Sequence, residues 1–141
     1  MNNQIIGVSV GVIRRGNEVL LCQRNETARY ALQWEFPGGK IELGETPETA
    51  LVRELLEELD IRADIGQLLH AEESLYPDGG KFFVHFYLVE KFRGEMKNRV
   101  FRTFQWVQSE QLLEYPVLEG NVEICRNLPE ILRRIETGNT L

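Results

Sequence analysis

The sequence predicts an α/β fold, a mixed β-sheet sandwiched between α-helices. Three observations carry this reading. A Val- and Ile-rich run near the start turns back on itself at a glycine, a helical stretch interrupts the strands at Thr46 to Leu59, and an amphipathic stretch closes the chain at Val122 to Thr137.

The elements follow in order. Ile5 to Arg14 is rich in β-branched residues and reads as a strand, Arg15-Gly16-Asn17 turns the chain, and Glu18 to Gln23 completes a hairpin. Asn25 to Gln33 is polar and reads as a loop. In the first helix Thr46 suits the N-cap and Pro47 the first helical position, and Ala, Leu and Glu fill the interior. A strand is expected over Arg62 to Tyr76, a turn at Pro77-Asp78-Gly79-Gly80, and a returning aromatic and β-branched strand over Lys81 to Phe92. Phe101 to Val107 makes a further strand, Ser109 caps a short helix to Glu114, and Ile124, Leu128, Ile131, Leu132 and Ile135 line one side of the last helix.

With 141 residues the chain is read as one domain spanning 1–141, large enough for a real core. Hydrophobic residues at 43% and charged residues at 27% place it among soluble globular proteins. No apolar run approaches a membrane span, and Met1-Asn2-Asn3-Gln4 lacks the basic start of a secretory signal. The expected compartment is the cytoplasm, with no membrane partner. Cys22 and Cys125 are read as reduced, buried thiols. Sixteen Lys and Arg against 22 Asp and Glu give a net charge of −6. That balance argues against nucleic acid as a partner. It leaves a nucleotide enzyme open, because a bound divalent cation reverses the local sign.

The chemistry is concentrated in Trp34-Glu35-Phe36-Pro37-Gly38-Gly39-Lys40-Ile41-Glu42-Leu43-Gly44-Glu45 and the helix that follows, which contains Arg53-Glu54-Leu55-Leu56-Glu57-Glu58. At 3.6 residues per turn, Glu54, Glu57 and Glu58 share one face, and Val52, Leu55, Leu56 and Leu59 fall opposite. The apolar face is expected on the sheet and the acidic face away from it, toward Gly38-Gly39. Carboxylates at i, i+3 and i+4 repel one another unless a cation sits among them. Mg²⁺ prefers such oxygens and bridges them to phosphates. Adjacent glycines let backbone approach a ligand closely. Glu45 can hold Arg53 by a charge-assisted contact. An ordinary solvated acidic helix is the competing reading.

Gly39, five residues, Glu45, seven residues, then Arg53-Glu54-Leu55, one residue, Glu57-Glu58 resembles the Nudix box. The flanking Glu35-Phe36-Pro37-Gly38-Gly39-Lys40-Ile41-Glu42, with Leu20-Leu21-Cys22-Gln23-Arg24 and Trp106, is similar to the MutT-like branch, the 8-oxo-dGTP pyrophosphohydrolases and their relatives. The resemblance implies the Nudix fold and a nucleoside triphosphate pyrophosphohydrolase that uses Mg²⁺, with Mn²⁺ as a substitute. It assigns the metal to Glu54, Glu57, Glu58 and the Gly38 carbonyl, with Arg53 and Glu45 completing the catalytic set. Arg24 and Arg29 would face the phosphates. Glu35, Phe36, Pro37, Gly38, Gly39 and Lys40 would line the nucleotide pocket. Phe36 is read as base contact or core, and Asn121 as a reader of the base edge or as the cap of the last helix. A pyrimidine triphosphate or another nucleoside diphosphate derivative is the alternative substrate. A silent nucleotide-binding sensor is the alternative class, and such a domain would be expected to lose some of the three glutamates. The partner expected is a small-molecule nucleotide, and the chain is read as a monomer or a homodimer.

Two positions depart from the pattern. Asp60 stands where the box has a helix-ending glycine, a position where Asp tolerates the left-handed conformation. Met96 to Gln105 holds no carboxylate, where relatives often carry a glutamate that serves as ligand or base. Glu95 is the nearest, and a box glutamate is the other candidate base. His70 and His85 are read as structural.

Overall fold

A computed structural model describes residues 4–138. The strands are β1 (Ile6–Arg15), β2 (Glu18–Gln23), β3 (Trp34–Glu35), β4 (Gly38–Lys40), β5 (Arg62–Asp64), β6 (Leu68–Leu75), β7 (Lys81–Val89), β8 (Lys91–Arg93) and β9 (Thr103–Gln108), and the helices are α1 (Pro47–Leu59) and α2 (Val122–Glu136). Short 3-10 turns cover Ser109–Glu114 and Glu119–Asn121.

β1 organises the sheet. It runs parallel to β7 from Ile6 to Ile13, antiparallel to β4 over Val8 to Val10, and antiparallel to β2 only at Arg14 and Arg15. β7 pairs β6 and β2 pairs both β3 and β9, which makes a mixed sheet.

Period-two alternation splits the apolar side chains between the two faces. Val10, Val12, Val19, Leu21, Val84, Phe86 and Leu88 join Ile124, Leu128 and Leu132 of α2 in one core. Ile13, Leu20, Cys22, Tyr87 and Val89 join Leu51, Leu55 and Leu59 of α1 in the other. The sheet is therefore sandwiched between the two helices, as the sequence predicts. Both cysteines are buried and free. Among the described residues, no helix is long and apolar enough to cross a membrane.

Several boundaries differ from expectation. The single strand expected over Arg62 to Tyr76 is two. Gly66 donates to Leu88 O at 2.8 Å and a Cβ there would stand 2.6 Å from that oxygen, so the chain crosses β7 closely and changes sheet. β5 pairs β8 in a small separate ribbon, which also divides the expected Lys81 to Phe92 strand. β9 starts later than Phe101 because the Asn98 amide bonds both the N–H and the carbonyl of Phe101 in a closed turn. Ser109 is no cap. Its hydroxyl stands 3.3 Å from both Asn17 Oδ1 and Glu110 Oε2, which share its one proton, and Gln108 precedes the turn.

In α1 the buried row is Leu51, Leu55 and Leu59 with Ala50, while Val52 is 39% exposed and Leu56 half-buried. Two apolar rows, 51-55-59 and 52-56-59, lie side by side on this helix. Burying the first turns the neighbouring Glu58 toward β4 rather than away from the sheet.

Candidate active site

β4 sets the geometry. Gly38 has φ of 149°, and a Cβ on it would stand 2.2 Å from Ser9 O, so only glycine lets β4 lie this close to β1. A Cβ on Gly39 would stand 2.5 Å from the carboxyl carbon of Glu54, so the missing side chain is the space that Glu54 occupies.

The helix starts where the chain needs it to. Thr46 accepts from Thr49 N–H at 3.1 Å while the Thr49 hydroxyl accepts from Thr46 N–H at 3.0 Å, a reciprocal capping box behind Pro47. From this fixed start Arg53 reaches back to Glu45, with Nε to Oε2 at 2.7 Å and Nη2 to Oε1 at 2.9 Å. The same guanidinium donates to Glu54 Oε1 at 2.9 Å, to Glu57 Oε2 at 3.4 Å and to Lys40 O at 3.1 Å. Arg53 thus ties β4, the loop and α1 together through a planar fork that Lys could not replace. Its bonds, with the Glu42 N–H, hold the Glu45 carboxyl down to about 2.

Glu58 is the opposite case. Its Oε1 accepts from Gly38 N–H at 2.9 Å. Burial, then repulsion from Glu54 and Glu35, pushes its carboxyl up to about 9 against that one favourable bond. Burial also raises Glu54, with Arg53 opposing. Burial is the larger cause for both carboxyls, and for Glu58 the repulsion of its neighbours adds to it. Among the described residues, no group of three or more His, Cys, Asp or Glu side chains is already drawn together to hold a metal. The chemistry of the donor set nevertheless fits a hard divalent cation, since oxygen ligands crowded on one helix turn are stabilised by that charge.

On the other side of β4 lies a cavity of about 320 Å³, walled by Val8, Val10, Arg24, Arg29, Tyr30, Glu35, Phe36, Gly38, Gly39, Lys40, Tyr76, Phe82, Val84, Leu118 and Asn121. Gly38 and Gly39 are its shared wall with the acidic cluster. The seam is completed by Arg24, whose Nη1 donates to Glu35 Oε2 at 2.9 Å. Burial raises the Glu35 carboxyl and Arg24 counters it.

Phe36 is 1% exposed and meets Phe86 edge-on at 6.2 Å, so it is core and cavity wall at once. Pro37 accepts from Gly11 N–H at 2.8 Å and is not among the cavity walls. Asn121 precedes α2 but makes no side-chain cap bond. It is 4% exposed, and its Oδ1 accepts from Phe36 N–H at 3.2 Å. A backbone donor needs an oxygen opposite it, so the amide orientation is fixed and Nδ2 is the group left for the cavity.

Arg29 lies with Tyr30, Phe82 and Asp78. Glu95 does not join the cluster. It lines a separate cleft at the far end of α1, with Leu56, Asp60, Arg62, Arg93, Gly94 and Lys97. Asp60 holds the helix end at φ 58°, ψ 31° and pairs with Arg99 at 3.1 Å. His70 and His85 sit in β6 and β7, bonded to Glu72 and to Val8 O. The sequence reading did not single out Tyr30, Tyr76, Phe82 or Leu118. They reach the cavity from four separate segments and share no spacing rule.

This architecture has known counterparts. A family model described as the NUDIX domain matches residues 5–128. The chain is 33% identical to a CTP pyrophosphohydrolase of Escherichia coli over 121 residues, 86% of this chain and 89% of that protein. It is 41% identical to an 8-oxo-dGTP diphosphatase of Haemophilus influenzae over 113 residues, 79% and 82% of the two chains. The solution structure of the Escherichia coli ORF135 protein superposes with a TM-score of 0.81 at 30% identity, covering 92% of this chain and 91% of that one. A MutT Nudix hydrolase from Burkholderia pseudomallei gives 0.79 at 26% identity, over 88% and 98%. A glycine-walled cavity backed by the Arg53–Glu58 helix, within a domain matched from residue 5 to residue 128, identifies this chain as a member of the Nudix family of hydrolases.

Proposed function

We propose that this protein is a Mg²⁺-dependent nucleoside triphosphate pyrophosphohydrolase of the cytoplasmic nucleotide pool, acting as one unit over residues 1–141, with Mn²⁺ as a substitute metal. The observation that carries the reading is Glu58. Its Oε1 is fixed on Gly38 N–H, and its carboxyl is pushed up to about 9 by burial and then by Glu54 and Glu35. A cation among these oxygens would relieve both, and the strand that holds Glu58 also walls a cavity of about 320 Å³.

Glu54, Glu57 and Glu58, with the Gly38 carbonyl, would hold the cation. When bound, it acidifies an attacking water and offsets phosphate charge. The remaining work belongs to the chain. Arg53 and Glu45 keep the three carboxylates in register. Gly38 and Gly39 let phosphates approach the backbone, and Lys40 and Arg24 bring positive charge to that seam. Glu35 orients Arg24. Phe36 supports the base end, where Asn121 offers its Nδ2 donor. With Glu95 in another cleft, a glutamate of the box takes the proton of the water. Products are a nucleoside monophosphate and pyrophosphate.

Similarity to 8-oxo-dGTP diphosphatases favours an oxidised dGTP substrate. The longer match to the CTP pyrophosphohydrolase favours CTP as the second reading. Pyrophosphate release from 8-oxo-dGTP, dGTP, dCTP and CTP, with and without Mg²⁺, tests both. One nucleotide hydrolysed well above the others in Mg²⁺ alone is expected, and no Mg²⁺-dependent turnover of any of them would overturn the proposal.

A further inference from the structure

The base end of the cavity is held by a residue outside the box. Asp78, at the tip of the β6–β7 turn, accepts from Arg29 Nε at 2.9 Å on Oδ2 and from the Tyr30 hydroxyl at 2.8 Å on Oδ1. Gly80 N–H donates to the same Oδ1 at 3.0 Å. Arg29 Nη2 also stands 2.9 Å from the same Oδ2, so one carboxylate oxygen takes the hydrogen bond and the closest charge of the guanidinium while the other takes Tyr30 and Gly80. The guanidinium in turn lies 4.9 Å over the Tyr30 ring and 5.7 Å over Phe82. Tyr30 packs on Tyr76 at 4.8 Å.

The loop so held is not at rest by itself. Tyr30 and Leu32 have φ of 57° and 64°, a left-handed conformation unfavourable for side chains of their size. Such conformations persist where surrounding contacts over-determine them. Arg24 Nε on Arg29 O and Gln23 Nε2 on Leu32 O supply two of those contacts, and Asp78 supplies the contacts to side chains. The space around Gly80 is closed as well. A Cβ there would stand 2.8 Å from Arg29 Nη2 and 2.9 Å from the Tyr30 hydroxyl. Arg29, Tyr30 and Tyr76 also form the wall between the nucleotide cavity and a second cavity of about 320 Å³ behind it, which Asp78 lines.

We infer that Asp78 is a positioning residue for the nucleoside end of the site: by binding Arg29 and Tyr30 together it fixes the 24–33 loop as a cavity wall. This rests on the nucleotide reading above. An exposed ion pair alone is weak, but a carboxylate with three hydrogen-bond donors and a cation stacked on two rings is a network. The Tyr76 hydroxyl under Tyr30 accepts from Gly120 N–H, next to Asn121, which puts this wall and Arg29 with it on the base side of the site.

The test compares wild type, Asp78→Ala and Asp78→Asn. Asn keeps an acceptor for Tyr30 and Gly80 but loses the charged oxygen that Arg29 meets. The nucleotide used is whichever of 8-oxo-dGTP, dGTP, dCTP and CTP the wild type hydrolyses fastest. Asp78→Ala is expected to raise KM by about fivefold or more with kcat within about twofold, the signature of lost uniform binding, and Asp78→Asn to fall between. Trypsin cleavage after Arg29 should rise by about tenfold in Asp78→Ala while the melting temperature of the whole protein stays put, since cleavage follows local opening. Unchanged cleavage, or a fall in kcat at constant KM, would overturn the assignment. A wild type that hydrolyses none of the four nucleotides sinks the proposed function instead, and the trypsin comparison still decides whether Asp78 holds the wall.

Discussion

Glu58 and Asn121 each have one oxygen committed to a backbone N–H, and the commitment governs what their substitution does. Glu58→Gln keeps the bond to Gly38 and removes the charge. Turnover in Mg²⁺ should fall by roughly two orders of magnitude, as for loss of a major electrostatic element. The metal-free protein should gain stability, on the order of 1–3 kcal/mol at pH 7, because folding no longer has to protonate a carboxyl that is ionised in the unfolded chain. Steady-state kinetics and metal-free melting check the pair, and near-normal turnover would sink the metal assignment. Asn121→Ala strips the partner from Phe36 N–H and should lower stability by about 1–3 kcal/mol, the cost of an orphaned buried donor. Rates are therefore compared only below the melting transition, and the informative quantity is the ratio of kcat/KM values across the four nucleotides. The preference should flatten, with Mg²⁺ dependence unchanged. Wild-type ratios would move base discrimination to other walls of the pocket.

At the scale of the element, α1 is fixed at both ends by contacts that differ in kind. Its start is a local capping box with Pro47. Its end depends on Asp60, whose left-handed backbone would suit glycine but whose carboxylate pairs with Arg99 and, at 3.9 Å, with Lys97. The same loop is laid along the helix end by Lys97 N–H to Leu59 O and Arg99 N–H to Glu58 O. Relief of the backbone in Asp60→Gly is worth about 1 kcal/mol. Loss of exposed pairs costs up to about 1 kcal/mol at low salt and less at 1 M, where screening acts within about 3 Å. The substitution should be near neutral in dilute buffer and stabilising in 1 M NaCl, with activity unchanged. Melting in both buffers checks this. A large loss in both would mean that Asp60 anchors the 97–99 loop.

The acidic site also sets a property of the whole molecule. An unfolded glutamate ionises near 4.5, whereas Glu58 in the fold does so at about 9, and Glu54 and Glu35 shift in the same direction. The folded metal-free chain therefore binds more protons than the unfolded chain between those values. Its stability is fully present below about pH 4.5 as far as these groups are concerned, and is lost as pH rises toward about 9. Glu45 acts with the opposite sign. Held down to about 2, it contributes stability above about pH 4.5 that is lost as pH falls through that lower value. Metal-free melting temperature should thus peak under mildly acidic conditions and decline to pH 9. At the proposed site Mg²⁺ would bind the ionised carboxylates, so its stabilisation should grow with pH. Melting from pH 5 to 9 with and without Mg²⁺ measures both curves, and equal curves at pH 8 would contradict the proposed site.

Much was determined by the sequence alone, wherever the cause is local. Thr46-Pro47 starts α1, alternation in β1, β2 and β7 assigns side chains to two faces, and the spacing from Gly39 to Glu58 marks the family. Tertiary structure decided what depends on partners far along the chain. Which of two apolar rows on α1 is buried follows from the sheet it meets, and that choice turns Glu58 inward. Asn121 spends its oxygen on Phe36, 85 positions away, and Arg29 finds Asp78, 49 positions away. Glu95 is the carboxylate nearest the 96–105 segment but lines a different cleft, at the end of the ribbon that β5 and β8 form apart from the main sheet. Periodicity is set by neighbours three or four residues apart, whereas these pairings are set by strand register and sheet crossing, which no local spacing encodes.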